Sequence, residues 1–216
     1  SANASLPLVY LLEENKPSPD IAPNFCMVLR KHIQGAKLLN IKQYGLDRII
    51  EFCFEGIDEL GDITKKSLFV ELMGKYSNII LVNNNNKIID SMRHVDSTMS
   101  SIREVLPVRE YILPTSLDRS TFIGMDYDQF IATLQVAMMP PTNSPPNYAS
   151  LISNQFIGFS KSLIDELLAV CDVKDSFTVE NTKKMYMKLM LLLTNCEQHQ
   201  IKLVSAGKDY HIDLNE

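Results

Sequence analysis

Residues 37–93 read KLLNIKQYGLDRIIEFCFEGIDELGDITKKSLFVELMGKYSNIILVNNNNKIIDSMR, and this stretch decides the fold. Runs rich in Ile, Leu, Val and Phe at 37–44, 48–55, 66–73, 78–83 and 87–92 alternate with turn formers: Gly45, GIDELGD at 56–62, GKYS at 74–77 and four asparagines at 83–86. Apolar runs this short, bounded by Gly, Asn and Asp, are strands rather than helices. Asn tolerates the left-handed backbone conformation, so NNNN between two apolar runs predicts a hairpin tip and not a prion-like tract. The expectation is an antiparallel meander of about five strands.

Working upstream, the apolar run PLVYLL at 7–12 predicts a further strand, and the proline-rich ENKPSPDIAP that follows can neither continue it nor open a helix before Pro23. Beyond Pro23, Phe25, Val28, Leu29 and Ile33 recur at helical spacing, with Arg30, Lys31 and Gln34 between them and Gly35 as a stop. An amphipathic helix over 23–35 is predicted. Working downstream, 97–120 holds scattered apolar residues and two prolines, the pattern of an irregular wrap that closes the sheet domain.

Helical patterning then takes over at 126–139, 148–156, 160–171 and 179–198, broken by the proline-rich PPTNSPPN at 140–147. The segment IKLVSAGKDYHIDL reads as a hairpin around Ala206 and Gly207. The predicted class is α+β: an antiparallel sheet domain with one prominent helix over 1–120, an all-helical, helix-hairpin-helix-like domain over 121–200, and the start of a hairpin over 201–216.

The 216 residues are 45% apolar and 22% charged, a globular composition that can bury one large core or two smaller ones. No run of about 18 apolar residues occurs, and SANASLPLVYLL lacks a basic leader and a small-residue cleavage site, so the reading is soluble, cytoplasmic and not membrane-bound. Cys26, Cys53, Cys171 and Cys196 are widely spaced without a C-x-x-C pair, which predicts reduced, mostly buried thiols rather than a zinc site.

The net charge of −5 argues against a polyanion partner until it is divided. Residues 25–110 hold 12 Lys/Arg against 11 Asp/Glu, whereas 111–216 hold 8 against 12. A nucleic acid is therefore expected to meet the first half. No phosphate loop, dinucleotide fingerprint, nucleophile elbow or H-E-x-x-H is present, and His32, His94, His199 and His211 are far apart in sequence, so the chain reads as non-catalytic and without a cofactor.

Three long stretches, FCMVLRKHIQGAKLLNIKQYGLDRII, LFVELMGKYSNIILV and IIDSMRHVDSTMSSIREVLPVREY, resemble the N-terminal domain of the NFACT family, whose bacterial members are called fibronectin-binding protein A or RqcH. The resemblance runs through 1–114 and continues more loosely to the hairpin near 201–214. It implies a fold like the N-terminal domain of formamidopyrimidine DNA glycosylases, without their N-terminal Pro, nearby Glu and zinc finger. It also implies recognition rather than catalysis. Family members bind the large ribosomal subunit carrying a stalled peptidyl-tRNA and recruit tRNA, with alanine tRNA the expected species, for alanine tailing without mRNA.

The family's tRNA-binding motifs fall on Asp47 and Arg48 of GLDR and on Glu71, Leu72 and Met73 of VELMG. Arg48 offers a planar fork of donors for phosphate or a purine edge, and Asp47 accepts from exposed base amino groups. The structural alternative is a salt bridge between Asp47 and Arg48, with Leu72 or Met73 in the core. Arg30 and Lys31 are candidates for RNA backbone contacts, against the plainer reading of a solvated helix face. In FIGFSKSL, Ser160 resembles part of a phosphate-holding helix-hairpin-helix element, or is a simple N-cap.

The resemblance further implies that the family's first strands and helix, with an Asp that serves tRNA binding, lie outside this sequence, as do the coiled-coil arm and a later RNA-binding domain. Fibronectin, the source of the older family name, is the alternative partner, implying an adhesin; the absence of a leader in the sequence argues against it.

Overall fold

The computed structural model describes residues 2, 5, 7–12, 19–58, 60–114, 119–137, 147–173, 177–198, 203–206 and 209–212. The chain divides into two compact units, Ser1–Thr115 and Ser116–Glu216.

In the first unit, helix α1 (Asn24–Ile33) precedes five strands, β1 (Lys37–Gln43), β2 (Ile49–Ile57), β3 (Ile63–Glu71), β4 (Asn78–Asn83) and β5 (Ile88–Ser91), in an antiparallel sheet of order β1-β2-β3-β4-β5. The meander follows from the turns. At the β4–β5 tip the Asn83 side chain accepts from the N–H groups of Asn85 and Lys87, and Asn86 takes a positive φ of 57°. These are the Asx-turn and left-handed conformations that asparagine supplies at little cost.

Direct pairing puts Ile49 opposite Glu71, Glu51 opposite Phe69, and Phe69 opposite Ile80, so these residues share one face. That face carries the core of Ile49, Phe69, Ile80, Val82, Ile88, Val105 and Tyr111, onto which Tyr44, Met73, Val95 and Leu113 pack. Val105 and Tyr111 arrive from the irregular wrap, where Val95 bridges Val105 and Lys87 bridges Glu110. Helix α1 is capped at its C-terminal end by Gly35 at φ 78°, and none of its residues is fully buried. A Cβ on Gly56 would sit 3.1 Å from Ala36 Cβ, so the strand is glycine where the chain leaving α1 crosses it closely.

The strand expected at 7–12 is not formed. Pro7 makes an isolated bridge to Ala2, and Leu11 is 98% exposed. An apolar run becomes a strand only when a neighbouring ladder pairs its backbone groups, and the sheet offers this run none.

The second unit holds α2 (Tyr127–Ala137), α3 (Tyr148–Gln155), α4 (Lys161–Val170), α5 (Val179–Glu197) and the hairpin β6 (Leu203–Ala206) and β7 (Asp209–Ile212). Phe122, Phe130 and Phe156 are fully buried, and Phe122 and Phe130 each lie edge-on or tilted to Tyr186. Caps set the helix starts. Asn147, Ser160 and Thr178 accept from the N–H groups of Ser150, Leu163 and Asn181, the last pair forming a reciprocal capping box. Ser160 therefore acts as an N-cap. The proline-rich break at 140–147 lies outside the described residues except for Asn147. All four cysteines are free, but only Cys171 is buried, while Cys26, Cys53 and Cys196 are half-buried. The expectation of mostly buried thiols is corrected: Cys53 lies on the core face opposite Ser67 but outside the cluster of buried core residues.

Candidate functional site

The turn between β1 and β2 carries Asp47 and Arg48. Its backbone is closed on itself: Asp47 N–H donates to Tyr44 O at 3.0 Å, and the Gln43 side-chain amide donates to Asp47 O at 3.0 Å. Gly45 sits at φ 58°, a conformation that a Cβ would strain. The turn is then fastened to the end of β3, because Leu72 N–H donates to Arg48 O at 2.8 Å. One end of the sheet thus brings GLDR and VELMG together.

Arg48 is exposed and Asp47 is half-buried. Among the described residues neither the Asp47 carboxylate nor the Arg48 guanidinium has a hydrogen bond or ion pair, and the two do not bridge each other. The structural alternative raised by the sequence, an Asp47–Arg48 salt bridge, is absent. Both groups are held on a pinned backbone with their polar atoms open to a partner.

Glu71 is placed differently. It is 0% exposed, and the Arg103 guanidinium donates to both of its oxygens, through Nη1 to Oε1 at 2.9 Å and through Nη2 to Oε2. Tyr111 Oη adds a third donor at 2.9 Å, and Arg103 Nη1 also reaches Ile112 O at 2.8 Å. A carboxylate removed from water requires such pairing, since an uncompensated buried charge costs several kcal/mol, roughly 3–5 when a partner is removed. Tyr111 stacks on Phe69 with ring centroids 4.0 Å apart, and burial together with the facing Glu71 charge pushes its hydroxyl pKa well above the ordinary tyrosine range. Met73 packs against the same core and Leu72 is half-buried. Of the three motif residues on this segment, Leu72 and Met73 therefore reach the surface in part and Glu71 fixes the frame from within.

Sequence patterning gave Arg103 and Tyr111 no role. The sole sign was their place in SSIREVLPVREY, because the ion pair spans 32 residues and no local spacing reports it.

A second polar cluster lies farther along the core face. Glu51 accepts from Tyr44 Oη, from Ser67 Oγ at 2.6 Å and from Cys53 Sγ at 3.3 Å. Burial pushes the Glu51 pKa up, but the hydrogen bonds from Ser67, Tyr44 and Cys53 outweigh it and hold the carboxyl below its ordinary value. Burial raises the Cys53 thiol. These donors are consumed by one another, which leaves a structural network rather than an open site.

Arg30 and Lys31 are exposed in the last turn of α1, with His32 beside them. Cations there favour the negative end of the helix dipole, a structural reason for the basic run. Among the described residues the Arg30 guanidinium's hydrogen bond is to Met27 Sδ, at 3.9 Å, and it makes none to 45–48 or 71–73. Among the described residues no cluster of three or more His, Cys, Asp or Glu is arranged to hold a metal, and no helix is long and apolar enough to cross a membrane.

An antiparallel sheet domain carrying two motif segments fastened at one end, followed by a helical unit, defines a protein of mixed α+β class. Comparison with known proteins narrows this. Residues 1–212 match the model of the NFACT N-terminal and middle domains. The Rqc2 homolog RqcH of Bacillus subtilis is 40% identical over 135 residues, 62% of this chain and 24% of that protein. The Rqc2 homolog RqcH of Streptococcus suis is 42% identical over 144 residues, 66% of this chain and 26% of that protein. Among solved structures, the N-terminal part of the fibronectin/fibrinogen-binding protein from Streptococcus suis superposes with a TM-score of 0.72 at 27% identity, covering 97% of this chain and 71% of that one. The chain belongs to the NFACT family. It spans about a quarter of the length of the RqcH relatives it matches.

Proposed function

We propose that this chain is the tRNA-binding and large-ribosomal-subunit-binding part of a cytoplasmic, non-enzymatic ribosome-associated quality-control factor that supports alanine tailing of stalled nascent chains. One observation carries the reading: Asp47 and Arg48 stand unengaged on a turn whose backbone is pinned to the Leu72–Met73 segment. Preorganised polar groups without internal partners are what base and phosphate recognition requires, because they lose no hydrogen bonds of their own on binding. Arg48 presents a planar donor fork and Asp47 an acceptor pair. Leu72 and Met73 supply apolar surface beside them. Glu71 contributes through the frame it holds rather than by contact. The near-neutral charge of 25–110, against the acidic 111–216, supports a reading in which RNA meets the first unit.

The test is crosslinking of the complete protein to RNA in cells, with sequencing of the RNA and mapping of the crosslinked peptides. The expected result is enrichment of tRNA, alanine tRNA foremost, with crosslinks in 25–110. Crosslinks falling chiefly in 121–200 contradict the assignment. Sedimentation with large subunits is expected to rise when translation stalls.

A second reading, binding of fibronectin by a surface patch, draws on the likeness to the fibronectin/fibrinogen-binding protein from Streptococcus suis. Cell fractionation separates the two: the first requires the protein with ribosomes, the second at the envelope.

A further inference from the structure

The connection from β3 to β4 displays an aromatic ring on a fixed backbone. A 3-10 turn over Gly74–Tyr76 leaves Tyr76 70% exposed. Tyr76 N–H donates to Met73 O at 3.1 Å and Ser77 N–H to Gly74 O at 3.0 Å, while Met73 packs on the core and Ser77 is fully buried. The ring is open because its neighbours are anchored on both sides. Among the described residues its hydroxyl has no hydrogen bond.

One cation lies beside the ring and a second is bonded to the preceding residue's carbonyl. Lys75 Nζ lies 4.9 Å from the Tyr76 ring centroid. Arg93 Nη1 donates to Lys75 O at 2.8 Å, and Arg93 is itself held at its backbone, where its N–H donates to Asn78 Oδ1 at 2.9 Å and its carbonyl accepts from Asn78 Nδ2 at 2.8 Å and Ser91 Oγ at 2.9 Å. Asn78 is 3% exposed, so the arginine is bolted to the interior while its side chain is exposed. Its other guanidinium donors are unengaged among the described residues.

An exposed ring gains from a flat apolar partner, and a cation beside the ring suits a partner that carries negative charge at its edge. A nucleotide in a single strand has both. We propose that this turn is a stacking platform for an unpaired nucleobase of the bound tRNA, with Tyr76 covering the base and Lys75 and Arg93 meeting the adjoining phosphate. The platform continues directly from Met73 and from Leu72, whose N–H is bonded to the Arg48 carbonyl. The inference rests on the tRNA-binding reading and adds three residues to it.

The experiment measures affinity of the complete protein for bulk tRNA across a salt series. Tyr76→Ala is expected to weaken binding about tenfold, since stacking on an aromatic side chain carries about that much per base. Tyr76→Phe is expected to bind as the unaltered protein does, because it keeps the ring. Lys75→Gln is expected to lower the slope of log affinity against log salt by about one. The thermal midpoint of Tyr76→Ala should not move, as the side chain is exposed. Undiminished affinity in Tyr76→Ala overturns the platform, as does a loss in Tyr76→Phe as large as that in Tyr76→Ala, which would assign the contact to the hydroxyl. If the Asp47→Ala/Arg48→Ala variant loses affinity and Tyr76→Ala does not, the platform alone falls. If the unaltered protein binds no tRNA, the platform and the tRNA reading fall together.

Discussion

Leu72 N–H donates to the Arg48 carbonyl at 2.8 Å, and this single bond makes two motifs 24 positions apart into one surface. Register explains it: Ile49 pairs with Glu71, so the residues immediately outside that pair, Arg48 and Leu72, face each other where the ladder ends. The surface they form is backed by the Glu71, Arg103 and Tyr111 network, which holds the end of β3 to the wrap.

The network should dominate the stability of the first unit. Arg103→Ala leaves the Glu71 carboxylate in the core with Tyr111 as its remaining donor, and is expected to cost about 3–5 kcal/mol in urea unfolding. Lys87→Ala, which breaks the exposed pair with Glu110 at 4.0 Å, is expected to cost about 0–1 kcal/mol. Equal effects would show that Glu71 is not the buried anchor described.

Glu51 predicts an acid limb. Its folded-state pKa is depressed, so its contribution is present above the unfolded value near about 4.3 and is lost as pH falls through the folded value. The stability gap between the unaltered protein and Glu51→Gln should therefore be constant near neutrality and shrink below about pH 4. A gap that does not change with pH contradicts the assignment.

Val108 carries strain. It sits at φ 70°, directly after Pro107, in a turn closed by Arg109 N–H donating to Leu106 O at 3.2 Å, the position that glycine normally fills. A β-branched residue there costs about 1–3 kcal/mol, against about 0.5–1 kcal/mol for the greater unfolded-state freedom of glycine. Val108 is 78% exposed, so little packing is lost. Val108→Gly is expected to raise stability by about 1 kcal/mol, read as a higher denaturant midpoint with an unchanged slope. A lower midpoint would mean that the valine side chain holds the turn.

Much of the fold is legible in the sequence because its signals are local. Asn83–Asn86 and Gly35 act through their own backbone conformations, and Asn147, Ser160 and Thr178 cap within three residues. PLVYLL is not legible in this way, since whether an apolar run is a strand depends on a partner ladder elsewhere. The candidate site divides along the same line. The family resemblance picks out Asp47 and Arg48, and nothing local conflicts with their exposure. Glu71 looks in sequence like any strand acid; its burial depends on Arg103 and Tyr111, which lie 32 and 40 residues away. Tyr76 hides within a turn signal, because GKYS reads as punctuation until the anchors at Met73 and Ser77 show that the ring between them is presented to solvent.

The proposed binding of tRNA by Asp47 and Arg48 is measured directly as the tRNA affinity of the complete protein carrying Asp47→Ala/Arg48→Ala. Neither side chain has a partner among the described residues, so thermal unfolding should be nearly unchanged and any loss of affinity belongs to the interface. Each lost charged contact is expected to remove about 1–3 kcal/mol, together a loss of roughly thirtyfold or more. A stable double variant with undiminished tRNA affinity would contradict the account.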